Sequence, residues 1–439
     1  TLGQLTTTNA TANAVRVTSK SGMILDGGDI DTDIVADSVG AIVTLNSATG
    51  IGTSGDAIDT TIDQLHATVG NGGIDIEETA ALTVLNATTT NGTIDITSVG
   101  SLTVDNAGAM TNAVSTTGTG EIHLAATDAG SDVNINDGIS GEMGSLTIQA
   151  DQSVNFAAEG DVTTTSGDIL IKADSDNEAT AGGGALTMAN GTLISTATGT
   201  VTLDAADDIT LGGISTGNAT ANAVQIDSTS GAIVDGGDDH VDIVADNPGA
   251  VVTISSENGI GTLANAIETT IDQVDATVNG TGDLNIDETS ALTILTATTT
   301  NGSINIDAVG DLTVDDAGAA GNAVSAGAGG FATLTTNANM QVNSEIATNN
   351  GPITLQAEGD IEFSNNLMDN GNVSSANGDI QIFSGNAITQ DDGLSINAGT
   401  GEIRIEATND ITLANVFTTN AGANALLIRS TAGALLDGG

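Results

Sequence analysis

The sequence predicts an all-β fold, a parallel β-helix (β-solenoid) with about 20 residues per coil, extended into an elongated rod. Three observations predict it: short phrases in which apolar and polar residues alternate, a regular spacing between these phrases, and a second repeat of about two hundred residues. Helix signals are nearly absent, because no capping residue is followed by an apolar stripe with a period of 3.6 residues.

The short phrases have the form glycine, any residue, then apolar, polar and apolar residues. Examples are GTIDI at 92–96, GSLTV at 100–104, GSLTI at 144–148, GTVTL at 199–203 and GEIRI at 401–405. Strict alternation is typical of a half-buried strand. We therefore expect Ile94 and Ile96 to face a core and Asp95 to face solvent.

The spacing of the phrases predicts how the strands are arranged. Steps of about eight and about twelve residues alternate, so that equivalent positions such as Ile74 and Ile94 recur about every twenty residues. A coil of that length stacks strand on strand in parallel. The chain has no Trp or Tyr and only five Phe, but its apolar content of 39% argues against disorder. Small apolar side chains are expected to fill a thin core.

A longer repeat is superimposed on the short one. GIGTSGDAIDTTIDQL at 50–65 returns as GIGTLANAIETTIDQV at 259–274. Such a period indicates a tandem array. We predict one continuous β-solenoid over 1–439, with long-period units at 1–209 and 210–411 and the start of a third at 412–439. Because the chain begins within the repeat, we expect it to be an excerpt of a longer protein.

The charge excludes some partners. Five basic residues stand against 57 acidic ones, for a net charge of −52. Nucleic acid is not an expected partner, since phosphate binding requires clustered Lys and Arg. Membrane insertion is not expected either, because no apolar run approaches the roughly 20 residues of a spanning helix.

The two long copies resemble a known family. The phrase GIGTxxxAIxTxIDxL at 50–65 and 259–274, together with TTTNGxIxI at 88–96 and 298–306, resembles filamentous-haemagglutinin-like giant surface exoproteins, many of which are exported by two-partner secretion. The resemblance implies a right-handed β-helix in an extracellular location at the bacterial cell surface. It also implies a role in adhesion or aggregation. We predict a structural or adhesive segment of a stalk or filament that carries out no catalysis.

The expected partners follow from the repeat and from the resemblance. Neighbouring repeats of the same long chain are expected to stack on this segment. Self-association into fibres or sheets is a further expectation, with divalent cations bridging acidic faces. A host-cell or matrix surface is the partner class that an adhesin would bind.

One acidic cluster carries a candidate metal site. Oxygen ligands at alternate positions of a Gly-rich turn suit Ca²⁺. The candidate residues are Asp26, Asp29, Asp31 and Asp33 in the first copy and Asp235, Asp238, Asp239 and Asp242 in the second. His240 replaces one acid of the second copy, and the calcium-binding nonapeptide GGxGxDxUx is absent from the sequence. The alternative is a solvated acidic turn on an acidic protein; calcium is the only cofactor predicted.

Two other function classes remain as alternatives. A carbohydrate-active β-helix enzyme, of the polysaccharide lyase or glycosidase type, would need aromatic platforms and clustered bases, and both are scarce in this sequence. An ice-binding solenoid would need Thr-x-Thr on every coil, whereas the Thr-rich phrases recur only once or twice per long unit. We therefore predict that the protein is not an enzyme and assign no catalytic or cofactor-binding residue.

Overall fold

The computed structural model describes residues 1–28, 31–108, 112–175, 183–237, 240–318, 321–365 and 370–438. These residues form a parallel β-solenoid with about 23 residues per coil, which confirms the predicted fold class. None of the described segments forms a helix long and apolar enough to cross a membrane. The chain divides into two compact units, Thr1–Asn218 and Ala219–Gly439, which are described separately.

Short strands make up the described part of the first unit. They are β1 (Leu5–Thr6), β2 (Val15–Ser19), β3 (Ile34–Ala36), β4 (Ile42–Ser47), β5 (Ile58–Ile62), β6 (Gln64–Val69), β7 (Ile74–Glu78), β8 (Leu82–Thr90), β9 (Ile94–Ser98), β10 (Leu102–Val104), β11 (Val114–Thr117), β12 (Ile122–Ala126), β13 (Val133–Ile135), β14 (Ile139–Ser140), β15 (Leu146–Ala150), β16 (Val154–Phe156), β17 (Val162–Thr164), β18 (Ile169–Ala173), β19 (Leu186–Met188), β20 (Leu193–Thr196), β21 (Val201–Ala205), β22 (Ile209–Leu211) and β23 (Gly213–Thr216).

The described part of the second unit is built in the same way. Its strands are β24 (Val224–Ser228), β25 (Ile233–Asp235), β26 (Ile243–Ala245), β27 (Val251–Ser256), β28 (Ile267–Ile271), β29 (Gln273–Val278), β30 (Leu284–Glu288), β31 (Leu292–Thr299), β32 (Ile304–Ala308), β33 (Leu312–Val314), β34 (Val324–Ala326), β35 (Ala332–Thr336), β36 (Met340–Val342), β37 (Ile346–Thr348), β38 (Ile353–Ala357), β39 (Ile361–Phe363), β40 (Val373–Ser375), β41 (Ile380–Ser384), β42 (Ile388–Gln390), β43 (Ser395–Asn397), β44 (Ile403–Ala407), β45 (Ile411–Leu413), β46 (Asn415–Phe417), β47 (Leu426–Ser430) and β48 (Leu435–Asp437).

From β7 onward, each coil of the first unit contributes strands to three parallel stacks. The first stack is β7, β9, β12, β15, β18 and β21. The second stack continues from the first half of β8 through β10, β13, β16, β19 and β22. The third continues from the second half of β8 through β11, β14, β17, β20 and β23. The long strand β8 therefore spans a corner.

The second unit has the same three stacks. One contains β28, β30, β32, β35, β38, β41, β44 and β47. The second stack continues from the first half of β31 through β33, β36, β39, β42, β45 and β48. The third stack continues from the second half of β31. This third stack contains β34, β37, β40, β43 and β46.

The coils are longer on average than the predicted 20 residues. Ile74 pairs with Ile94, as the spacing predicts, but Ile169 pairs with Val201, which is 32 residues further along. A parallel ladder sets the register of the strands and leaves the connections between them free in length. The regular phrases therefore predicted the strands correctly, while the longer connections raise the average.

The core is formed by the apolar positions of the alternating phrases. Ile94, Ile96, Leu102 and Val104 are fully buried, as predicted, and the intervening Asp95 is half-exposed. Neighbouring coils place like residues over one another, as where Ile94 lies between Ile74 and Ile122. The buried side chains thus form apolar columns along each unit.

Glycines form a column of a different kind at one corner of the coils. A Cβ atom on any of them would overlap the carbonyl oxygen of the corner glycine one coil earlier. They are Gly92, Gly120, Gly144, Gly167 and Gly199 in the first unit and Gly302, Gly330, Gly351, Gly378 and Gly401 in the second. The glycine that begins each phrase is therefore required by the approach of one backbone to the next.

Polar side chains satisfy the backbone at the same corner. The buried hydroxyl of Thr116 donates to the Gly92 carbonyl at 2.7 Å, and that of Thr216 donates to the Gly199 carbonyl at 2.8 Å. The carboxylate of Asp168 accepts from the Thr200 amide of the following coil at 2.8 Å. Part of the acidic composition therefore serves to accept hydrogen bonds between coils.

Replacing a corner glycine is expected to be far more costly than replacing an exposed one. In Gly144→Ala the new methyl group meets the Gly120 carbonyl, which is backbone and cannot rotate away. Overpacking costs about 1–3 kcal/mol, and we expect about 3 kcal/mol of lost unfolding free energy in a denaturant titration. Gly55→Ala is the matched control, because no atom lies within 4 Å of its added Cβ. Equal stability of the two variants would contradict the proposed contact.

Candidate functional site

Buried aspartates lie at equivalent positions in the two units. Asp235 ends β25, where alternation points its side chain inward, and it is 6% exposed. Its Oδ1 accepts a hydrogen bond from the Gly237 amide at 2.9 Å, which forms a local turn. Asp26 in the first unit is 5% exposed and accepts from the Gly28 amide at 3.0 Å. The repeated Asp-Gly-Gly phrase therefore places a carboxylate below the surface.

Asp242 lies on the same coil as Asp235, and Glu268 brings a third carboxylate from the next coil. The register pairs Ile243 with Thr269, so that Asp242 lies opposite Glu268. The Asp242 amide donates to the Glu268 carbonyl at 2.9 Å, and the Glu268 amide donates to Asp242 Oδ2 at 3.0 Å. One bond joins the two backbones and the other joins the Glu268 backbone to the Asp242 carboxylate, so that together they hold the two residues side by side.

The three side chains converge in the second unit. Asp235, Asp242 and Glu268 each offer one carboxylate oxygen, and these oxygens lie within 4.8 Å of one another. Within the described ranges, it is the one group of three His, Cys, Asp or Glu residues with this geometry. Such an arrangement has the ligand chemistry of a site for a hard divalent cation.

Burial and the crowding of carboxyl groups shift the protonation of Asp242 and Glu268. Burial raises the pKa of Asp242 well above its usual range, and the charges of Asp235 and Glu268 add to the effect. Burial and the charge of Asp235 also raise the pKa of Glu268. Three negative charges in a poorly solvated space repel one another, so that a positive charge at their centre would be favourable.

The first unit has Asp26, Asp33 and Asp59 at the equivalent positions. The Asp59 amide donates to Asp33 Oδ2 at 3.3 Å. Burial, followed by the charge of Asp26, raises the pKa of Asp33 to about 6. Asp26 and Asp59 also line an acidic cavity of about 270 Å³ together with Asp75 and Glu77.

The structure places the predicted ligands in three ways. It brings together Asp26 with Asp33 and Asp235 with Asp242. Asp31 is exposed. Asp29, Asp238 and Asp239 lie outside the described residues. Calcium binding at the predicted residues remains a prediction.

Sequence reasoning missed Asp59 and Glu268. Both occupy the same place in the repeated phrase, which reads AIDTTID in the first copy and AIETTID in the second. The position is acidic in both copies, with aspartate in one and glutamate in the other. That recurrence was a usable signal. The register that places Glu268 opposite Asp242 spans 26 residues and could not be read from the phrase alone.

A histidine lies on the outer side of the first stack. His123 Nδ1 is 2.8 Å from Asp95 Oδ1 on the neighbouring coil. The hydrogen bond to Asp95 raises the pKa of His123, while burial and then Asp95 raise the pKa of Asp75 to about 6. The second unit has Asn285, Asn305 and Thr333 in the equivalent column. In this column, therefore, the first unit has a carboxylate–imidazole pair where the second unit has amide and hydroxyl side chains.

Each unit also contains a buried glutamate that sequence reasoning did not identify. Glu288 Oε2 accepts from the Thr269 hydroxyl at 2.8 Å and from the Ile271 amide at 3.0 Å, and Oε1 accepts from the Ser290 amide at 2.7 Å. Glu78 makes the equivalent bonds to Thr60, Ile62 and Ala80. Burial raises the pKa of both groups. Their inward positions in two alternating phrases were a signal for a structural role.

Comparison with known proteins supplies no relative: the chain matches no protein-family model, no curated protein and no solved structure.

Removing the buried glutamate should destabilise the solenoid. Glu288→Ala leaves the buried Ile271 amide and the part-buried Ser290 amide without their acceptor, and an orphaned buried donor costs about 1–3 kcal/mol. We expect about 3 kcal/mol or more of lost unfolding free energy, measured by denaturant titration. Glu402→Ala, at an exposed glutamate of the same unit, should change stability by less than about 0.5 kcal/mol. A Glu288→Ala variant as stable as this control would contradict the bracing role.

The raised pKa of Glu78 and Glu288 predicts a pH dependence of stability. A carboxyl group whose pKa is higher in the folded state than in the unfolded state binds protons more tightly when the chain is folded. Its contribution to the free energy of unfolding is therefore greatest below the unfolded-state pKa and is lost as the pH rises through the folded-state pKa. The stability advantage of the wild type over Glu78→Gln/Glu288→Gln should therefore be largest in acid and shrink toward neutral pH. Unfolding titrations in the presence of a chelator measure it; an advantage that grows with pH would refute it.

Proposed function

We propose that this chain is a structural segment of a secreted bacterial surface stalk or filament, related to the filamentous-haemagglutinin-like exoproteins and without catalytic activity. The observation that supports it best is the parallel ladder within each unit. The strands of one coil hydrogen-bond to those of the next, and the apolar columns continue from coil to coil. In such an architecture, length is gained by adding coils.

The surface chemistry supports an exposed scaffold. The net charge of −52 keeps a long surface soluble and self-repelling. Many carboxylates nonetheless have structural partners. Asp168 and Asp379, for example, accept hydrogen bonds from backbone amides of the following coil. An acidic solenoid can therefore be both well hydrated and internally braced.

The proposal includes partners of three kinds. Neighbouring repeats of the same long chain would continue the ladder. Copies of the chain would self-associate into fibres or sheets when divalent cations bridge their acidic faces, and a host-cell or matrix surface would be the target of adhesion. Nucleic acid and membrane insertion are not part of the proposal, because the negative charge opposes the first and no apolar run is long enough for the second.

A scattering measurement tests the scaffold. A compact 439-residue domain would have a radius of gyration of about 22 Å, and we expect a value well above this because a stalk is extended. Small-angle X-ray scattering of the purified chain gives the value directly. A radius close to that of a compact domain would refute the stalk.

Two further observations complete the test. Antibodies against the chain should label intact cells of the source organism, and labelling only after permeabilisation would contradict the surface location. Incubation with acidic polysaccharides should leave them uncleaved, whereas release of unsaturated or reducing ends would favour a carbohydrate-active enzyme.

A further inference from the structure

We propose that Asp235, Asp242 and Glu268 bind one divalent cation, Ca²⁺, between two successive coils of the second unit. This metal site would clip one coil to the next. It goes beyond the structural role proposed above and does not depend on it.

The geometry of the three carboxylates suits a single ion. One oxygen from each lies within 4.8 Å of the others. Calcium binds oxygen at about 2.3–2.6 Å, so that two ligands on opposite sides of one ion are about 4.6–5.2 Å apart. The three side chains can therefore contact the same ion without a large movement of the backbone. Second carboxylate oxygens and water would supply the remaining positions of a six- to eight-oxygen shell.

Unpartnered oxygens give independent support. Asp235 Oδ1 accepts from Gly237, but Asp235 Oδ2 is buried and has no hydrogen-bond partner. Glu268 Oε2 is also buried without a partner. A buried carboxylate oxygen without a donor or a counter-charge is costly, and a bound cation would remove that cost.

The same signature recurs in the first unit. Asp26 is the counterpart of Asp235. Its Oδ2 accepts a hydrogen bond from the Gly28 amide, and its Oδ1 is buried without a hydrogen-bond partner. Asp33 and Asp59 complete the counterpart set, since the Asp59 amide bonds to Asp33. The side chain of Asp59 is one methylene shorter than that of Glu268, so that this copy should bind the ion more weakly.

The ligand set selects the ion. All three ligands are carboxylates, which favours hard cations over Zn²⁺ or Cu²⁺. Asp235 and Asp242 are largely buried, so that a bound ion must lose much of its water. Mg²⁺ dehydrates reluctantly and demands near-ideal octahedral geometry, whereas Ca²⁺ accepts irregular shells. Calcium is therefore the expected occupant.

Calorimetric titration of the metal-free, 439-residue chain with CaCl₂ tests the proposal. Asp242→Asn should remove one tight Ca²⁺ per chain, because it deletes one of the three charges. Glu268→Gln should weaken Ca²⁺ binding at this site by at least about tenfold, because even the loss of an outer-shell partner can lower metal affinity that much. Asp227→Asn is the matched control: it removes the same charge from an exposed position of β24 and should leave binding unchanged.

The outcomes separate a site from general attraction to an acidic surface. Unchanged tight binding in both Asp242→Asn and Glu268→Gln would overturn the proposal, as would an equal loss in Asp227→Asn. Because Asp242 also bonds to the backbone, circular dichroism must show that its variant folds; if it does not, Glu268→Gln, at a half-exposed residue, decides. Binding of Mg²⁺ as tight as that of Ca²⁺ would refute the choice of ion. Each of these results leaves the stalk proposal intact.

The stability of the fold supplies a second readout. Ca²⁺ that binds the folded chain should raise the thermal unfolding midpoint of the wild type and of Asp227→Asn. The rise should be smaller in Glu268→Gln. A rise of equal size in all three proteins would show that the ion acts elsewhere.

Discussion

The close approach of one glycine backbone to the next, at one corner of the coils, is the contact on which the structure depends. Gly144 lies against the Gly120 carbonyl, and Gly378 lies against the Gly351 carbonyl, with no room for a side chain. This approach lets the strand that follows each glycine enter the ladder in register. The apolar columns then follow from the register, because alternation turns every second residue of each strand inward.

Buried polar groups complete the coils where the apolar columns end. The hydroxyl of Thr116 and the carboxylate of Glu288 both bond to backbone groups of other segments, so that the corners contain few unsatisfied atoms. The Asp235 site differs in this respect, because Asp235 Oδ2 and Glu268 Oε2 have no partner. A position that departs from the otherwise complete pairing around it is a reasonable place to look for a ligand.

The repeats explain how much of the site could be predicted. The phrase Asp-Gly-Gly indicated Asp26 and Asp235, and the run of acids after it indicated Asp33 and Asp242. Glu268 was missed because it belongs to another phrase and reaches the site only through the register of β26 and β28. The buried Glu78 and Glu288 could have been predicted from the sequence. They occupy the same inward position of an alternating strand, Glu78 in the first copy and Glu288 in the second.

The sequence by itself determined the fold class, the strands and their inward faces, because alternation and corner glycines are local properties that recur along the chain. Only the tertiary structure decided how long each coil is, which carboxylates meet and which oxygens lack partners. The physical reason is that a parallel ladder joins residues from 18 to 32 positions apart, through connections whose lengths no local pattern encodes. Asp242 and Glu268 meet because of that ladder, and the chemistry of their site is a property of the coils together.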